Sequence, residues 1–78
     1  MPTAYVLINC RLGKEPEIIN ELRRVPGVVE ACGVYGLYDV ITRITTDTDE
    51  KLETILRDIR RIENIISTNT LIKIEGQG

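Results

Sequence analysis

Gly36 and Asp39 stand three residues apart in the stretch VYGLYDVIT, with Tyr35 and Tyr38 beside them. These residue types suit recognition of a zwitterion. A glycine-containing turn exposes backbone N–H groups that can receive a carboxylate, and an aspartate close by offers a counter-charge to an ammonium group. A free amino acid carries both groups a few ångströms apart. Thr68 and Thr70 would add hydroxyls able to bond either end if their strand lies alongside. The same residues also suit a plain tight turn. Gly36 then supplies a positive φ, Asp39 bonds nearby backbone N–H groups, and Tyr38 is an amphipathic strand residue. Spacing alone leaves both readings open.

Other chemistries are poorly served. The chain has no histidine, which removes the commonest general base and a common metal ligand. Cys10 and Cys32 lack CxxC spacing, so neither a metal site nor a disulfide is expected. They are expected to be buried structural thiols in a reducing cytoplasm. A small isomerase or monooxygenase-like enzyme would have to move protons with Asp39, Tyr35 and Tyr38, using Arg43 or Arg11 as anion anchors. No separate pair of carboxylates stands out, and no cofactor is implied. Ten basic and twelve acidic residues leave a net charge of −2, which argues against direct nucleic-acid binding. The densest basic stretch, Arg57, Arg60 and Arg61, is interleaved with Asp58 and followed by Glu63, and suits the end of a helix. No apolar run of ~18 residues and no basic, apolar leader occurs. A soluble, cytoplasmic chain with no membrane partner is expected.

Six elements must position the central stretch. TAYVLINCR alternates as a strand over about residues 3–11, with Ala4, Val6, Ile8 and Cys10 on its cleaner apolar side. A helix is expected over about 15–25, from Pro16 in its first turn to Arg23 and Arg24 in its last, stopped by Pro26-Gly27. Strands follow over about 28–36 and 38–46, joined by a short hairpin at Gly36-Leu37. The strongest helix spans about 48–62, its stripe formed by Leu52, Ile55, Leu56, Ile59 and Ile62. Asp47 with Glu50, or Thr48 by itself, would cap it. A β-branched strand over about 64–74 closes the chain.

This order predicts an α+β fold of ferredoxin-like βαββαβ plan, a single domain over residues 1–78. Such a fold is a four-stranded antiparallel sheet with two helices on one face. A monomer would present a polar face opposite the helices, yet Tyr5, Leu7, Ile65 and Leu71 fall on that side. A chain of 78 residues has little stability to spare. Sheet-against-sheet dimerisation through this open face, as in a dimeric α/β barrel, would bury these residues and supply some.

Over about residues 3–75 the chain resembles the effector-binding module of the Lrp/AsnC family of feast/famine regulators. The resemblance lies in the opening AYVLINC, in PGVVEACGVYGLYDVITRI with its Gly-x-Tyr-Asp hairpin, and in the closing STNTLIKI. It implies the same fold, dimers formed sheet against sheet, larger assemblies of dimers, and amino-acid effectors held between dimers near the hairpin. Carried over by residue, Gly36, Leu37, Tyr38 and Asp39 form the hairpin side of that site, joined by Thr68 and Thr70. Asp39 meets the effector's amino group and the amides near Gly36 meet its carboxylate, and alanine at Asp39 is expected to weaken binding while leaving the fold intact. Full regulators carry a helix-turn-helix domain ahead of this module. Here Met1 and Pro2 lead almost directly into the first strand, so the stand-alone form is expected. The implied function is amino-acid sensing without catalysis, read out through oligomeric state, with a full-length Lrp/AsnC regulator as a further partner. A ligand-free oligomerisation adaptor is the other non-enzymatic reading.

Overall fold

Alternation along the first strand decides where the rest of the chain packs. The computed structural model describes residues 1–77. In β1 (Thr3–Cys10), Ala4, Val6, Ile8 and Cys10 are buried, while Tyr5, Leu7 and Asn9 are half-buried on the other side. The remaining elements are α1 (Glu15–Arg24), β2 (Val28–Gly33), β3 (Val40–Thr45), α2 (Asp49–Arg60) and β4 (Ile65–Ile72). The strands form one antiparallel sheet in the order β2-β3-β1-β4. This is the ferredoxin-like plan that the pattern of the sequence implies.

Each helix presents its apolar stripe to the sheet and its charges to solvent. In α1, Ile18 and Leu22 are buried, Pro16 lies in the first turn, and Glu15 and Glu17 face Arg23 and Arg24 along the helix dipole. In α2, Leu52, Leu56 and Ile59 are buried, with Ile55 and Ile62 packed beside them. Thr48 rather than Asp47 caps α2, its hydroxyl accepting the Lys51 N–H at 3.2 Å. Asp47 instead pairs with the Lys51 ammonium at 3.3 Å. The core between sheet and helices is completed by Ala31, Val40 and Ile44. Thr42, also fully buried, satisfies its hydroxyl on the Glu30 carbonyl at 2.8 Å.

Two irregularities reshape the edges. Between β1 and β4 the register slips by a residue, so that Asn9 faces Ser67 but Cys10 faces Ile65. This β-bulge turns Ile65 toward the helices, where it packs on the core. Ile65 therefore leaves the open face on which simple alternation puts it. Strand β2 ends at Gly33 and β3 begins only at Val40. The tight turn expected at Gly36-Leu37 is thus a six-residue connection, 34–39.

Candidate functional site

The 34–39 connection is held at its base by the main chain of one residue. The Asp39 N–H donates to the Ile8 carbonyl at 2.9 Å, and the Asp39 carbonyl accepts the Val34 N–H at 2.9 Å. Its carboxylate does a third job. Strand β1 runs two residues beyond Ile8, the partner of Val40 where β3 begins, which leaves the Cys10 N–H without a strand carbonyl on that side. Asp39 Oδ2 takes that N–H at 2.9 Å. The carboxylate thus stands in for the missing strand.

From this base the connection projects into solvent. Gly36 has φ +112°, a conformation that side chains rarely adopt, and the space where a Cβ would lie is empty. Tyr35 and Leu37 are almost wholly exposed. Among the described residues, the backbone amides of 35–38 donate to no protein group. Four successive N–H groups on a glycine-bearing loop, with a carboxylate at its base, suit a small zwitterion. Tyr38 folds back instead of projecting. Its hydroxyl accepts the Asn69 Nδ2–H at 3.0 Å.

Thr68 and Thr70 lie elsewhere. They pair with Ile8 and Val6, so both point to the helix side of the edge strand β4, and both are half-buried there. Tyr38 reaches the opposite face, because Asn69 pairs with Leu7. Within one chain the two threonines do not converge with the hairpin. Sequence reasoning missed Asn69, whose pairing with Tyr38 across β1 has no signature in either local segment.

The open face does present an apolar band. Tyr5 lies between Arg43 and Leu71, and Leu7 between Ile41 and Asn69, so Tyr5, Leu7, Ile41 and Leu71 form one surface. Cys32 continues it from β2, opposite Ile41. A Glu30–Arg43 ion pair at 3.6 Å and the Tyr38–Asn69 bond stand among its polar groups. Arg43 is thereby engaged away from the hairpin tip. A groove of about 550 Å³ lies at the other end of the sheet, between residues 25–27, residues 45–47 and the face of α2 that carries Glu50, Thr54 and Asp58. It shares no residue with the hairpin.

The two cysteines differ in surroundings and are both free thiols. Cys10 is buried, and burial pushes its thiol up, with the charges of Glu15 and Asp39 and a hydrogen bond to Asp39 acting in the same direction. Cys32, expected to be buried, is instead half-exposed on the open face. With the open face uncovered, iodoacetamide at neutral pH is therefore expected to label Cys32 first and Cys10 only as the chain unfolds, which peptide mass spectrometry of dilute protein reads directly. Equal labelling rates in the folded protein would contradict this placement.

Residues 3–76 match the family described as the Lrp/AsnC ligand binding domain. Among curated proteins, the HTH-type transcriptional regulator FL11 of Pyrococcus furiosus is 32% identical over 72 residues, covering 92% of this chain and 48% of that protein. The chain thus spans about half the length of the curated relatives it matches. Among solved structures, the hypothetical protein PHS023 from Pyrococcus horikoshii is 41% identical, with a TM-score of 0.87 over 95% of this chain and 90% of that one. At 14% identity the fold alone extends to the regulator NMB0573 of Neisseria meningitidis, solved as an L-Met complex, with a TM-score of 0.73 over 99% of this chain and 52% of that one. No helix among the described residues is long and apolar enough to cross a membrane. The family is one of ligand-binding domains, and the curated relatives are transcriptional regulators. By its match across the sheet, both helices and the hairpin, this chain belongs to the Lrp/AsnC ligand-binding domain family.

Proposed function

We infer that this domain senses an amino acid, which it holds at the 34–39 hairpin between dimers, and that binding is coupled to oligomeric state. The observation that carries this is the set of amides of residues 35–38, which have no acceptor among the described residues, beside the Asp39 carboxylate. The amides near Gly36 receive the ligand's carboxylate, and Asp39 receives its ammonium group. Leu37 and Tyr38 complete the hairpin side of the site. Thr68 and Thr70 of one dimer serve a ligand held against the hairpin of another, since the sheet separates them from Tyr38 of their own chain. Membership in a regulatory ligand-binding family supports this reading, as does the L-Met complex of the Neisseria protein.

Dimerisation uses the open face. A second copy there buries Tyr5, Leu7 and Leu71, the last of which is 51% exposed in the single chain. An effector bridging two such dimers stabilises the larger assembly by linkage, since it binds that state alone. A full-length regulator bearing the same domain is the further partner, through mixed assembly.

A thermal-shift screen with the common L-amino acids tests the site, followed by light scattering with any hit. Saturation at about 100 times Kd is expected to add about 2.7 kcal/mol of stability and to raise the scattering mass. If no amino acid shifts the transition, the sensing role fails. A stable higher oligomer in the same experiment would then favour the ligand-free adaptor, which the almost wholly exposed Tyr35 and Leu37 also suit.

A further inference from the structure

Tyr38 belongs to the hairpin and Asn69 to β4, and β1 lies between β3 and β4. The 3.0 Å bond between them therefore joins side chains from the two sides of β1, on the face that Leu7, the register partner of Asn69, also occupies. It is a side-chain link from the hairpin to the far edge strand, made on the face away from the helices. In a single chain the bond is exposed, so water competes for both groups and the link holds the hairpin weakly. Under a second sheet water no longer competes. Either group left without its partner would then be a buried, unsatisfied polar atom.

We propose that Tyr38 and Asn69 form a clamp that a second copy of this chain closes, so that dimerisation through the open face fixes the posture of the hairpin. Asn69 is a positioning residue in this scheme. It acts on the ligand site only through Tyr38, which lies next to Asp39. The clamp gives the open face a second task beyond adhesion, because the dimer presents an ordered loop where the monomer presents a loose one. The proposal rests on the dimer reading above and adds the route by which the dimer prepares the site.

The test needs no effector. Asn69→Ala, the near-isosteric Tyr38→Phe and the double variant are compared with the wild type in the full chain. Dimer dissociation constants come from a sedimentation dilution series, and hydrogen exchange is followed at the hydrogen-bonded Val34 and Asp39 amides at the base of the hairpin, above and below the dissociation constant. Each single variant is expected to weaken the dimer about three- to tenfold, and the double variant no more than the worse single one. Hairpin amides are expected to exchange more slowly in the wild-type dimer than in its monomer, and to lose that difference in variants kept dimeric by concentration. Losses that multiply in the double variant, or hairpin exchange that is the same in monomer and dimer, overturn the clamp and leave the dimer standing. A wild type that stays monomeric at every concentration overturns the dimer reading and the clamp with it.

Discussion

Asp39→Ala is expected to lower stability by about 1–3 kcal/mol, because it leaves the part-buried Cys10 N–H without an acceptor. For a domain of this size that is a fall in Tm of about 10 °C. The structure here alters the expectation drawn from sequence, in which alanine at this position weakened binding and spared the fold. One carboxylate terminates a strand and, in the proposed site, also faces a ligand. Asp39→Asn separates the two tasks. Its side-chain oxygen still accepts from Cys10, so urea unfolding should lie close to wild type. Its lost charge should weaken amino-acid binding by about ten- to a hundredfold, the range of a charge-assisted hydrogen bond. Calorimetry with whichever amino acid the screen identifies provides the second number. An alanine variant as stable as wild type would remove Asp39 from the architecture, and an asparagine variant with unchanged affinity would remove it from the site.

Gly27→Ala should be the other large loss. Gly27 follows Pro26 at the end of α1 and has φ +97°, which strains any side-chain-bearing residue by about 1–2 kcal/mol. A Cβ at this position would also meet Ile55 Cδ1 of α2 at 2.6 Å. Ile55 can swing aside, so the clash should add only the low end of the usual overpacking cost, about 1 kcal/mol. A fall in Tm of about 10 °C or more follows for a chain this short. The paired variant Gly27→Ala/Ile55→Val removes the offending methyl and should recover only the steric part, since the backbone strain remains. Complete recovery would mean that the clash is the whole effect. No loss at all in the single variant would mean that the turn tolerates a side chain there, contrary to its φ.

Much of this architecture was legible because it is periodic. Ala4, Val6, Ile8 and Cys10 at period two, and Leu52, Leu56 and Ile59 at helical spacing, mark the buried faces that the structure has. What the periods could not show were their interruptions. A single bulge turns Ile65 from the open face to the core, because one inserted residue reverses side-chain direction in a strand. The hairpin was visible as a place, from Gly36 and its neighbours, but its length was not. VYGLYDVIT is compatible with strand pairing on both sides of the glycine. The pairing stops at Gly33 and Val40, and the ends of that loop close through main-chain bonds of Asp39.

The division follows from the range of the interactions. Composition and local spacing determined the element order, the helix faces, the absence of histidine chemistry and the glycine-bearing turn as the place to look, since each depends on residues near one another in the chain. Tertiary structure alone decided that Asp39 is bonded to Cys10, that Tyr38 reaches Asn69 across β1, and that Thr68 and Thr70 lie on the sheet face opposite Tyr38 and Asn69. Those facts depend on strand order and register between segments about thirty residues apart. Neither segment carries that information until the sheet brings them together.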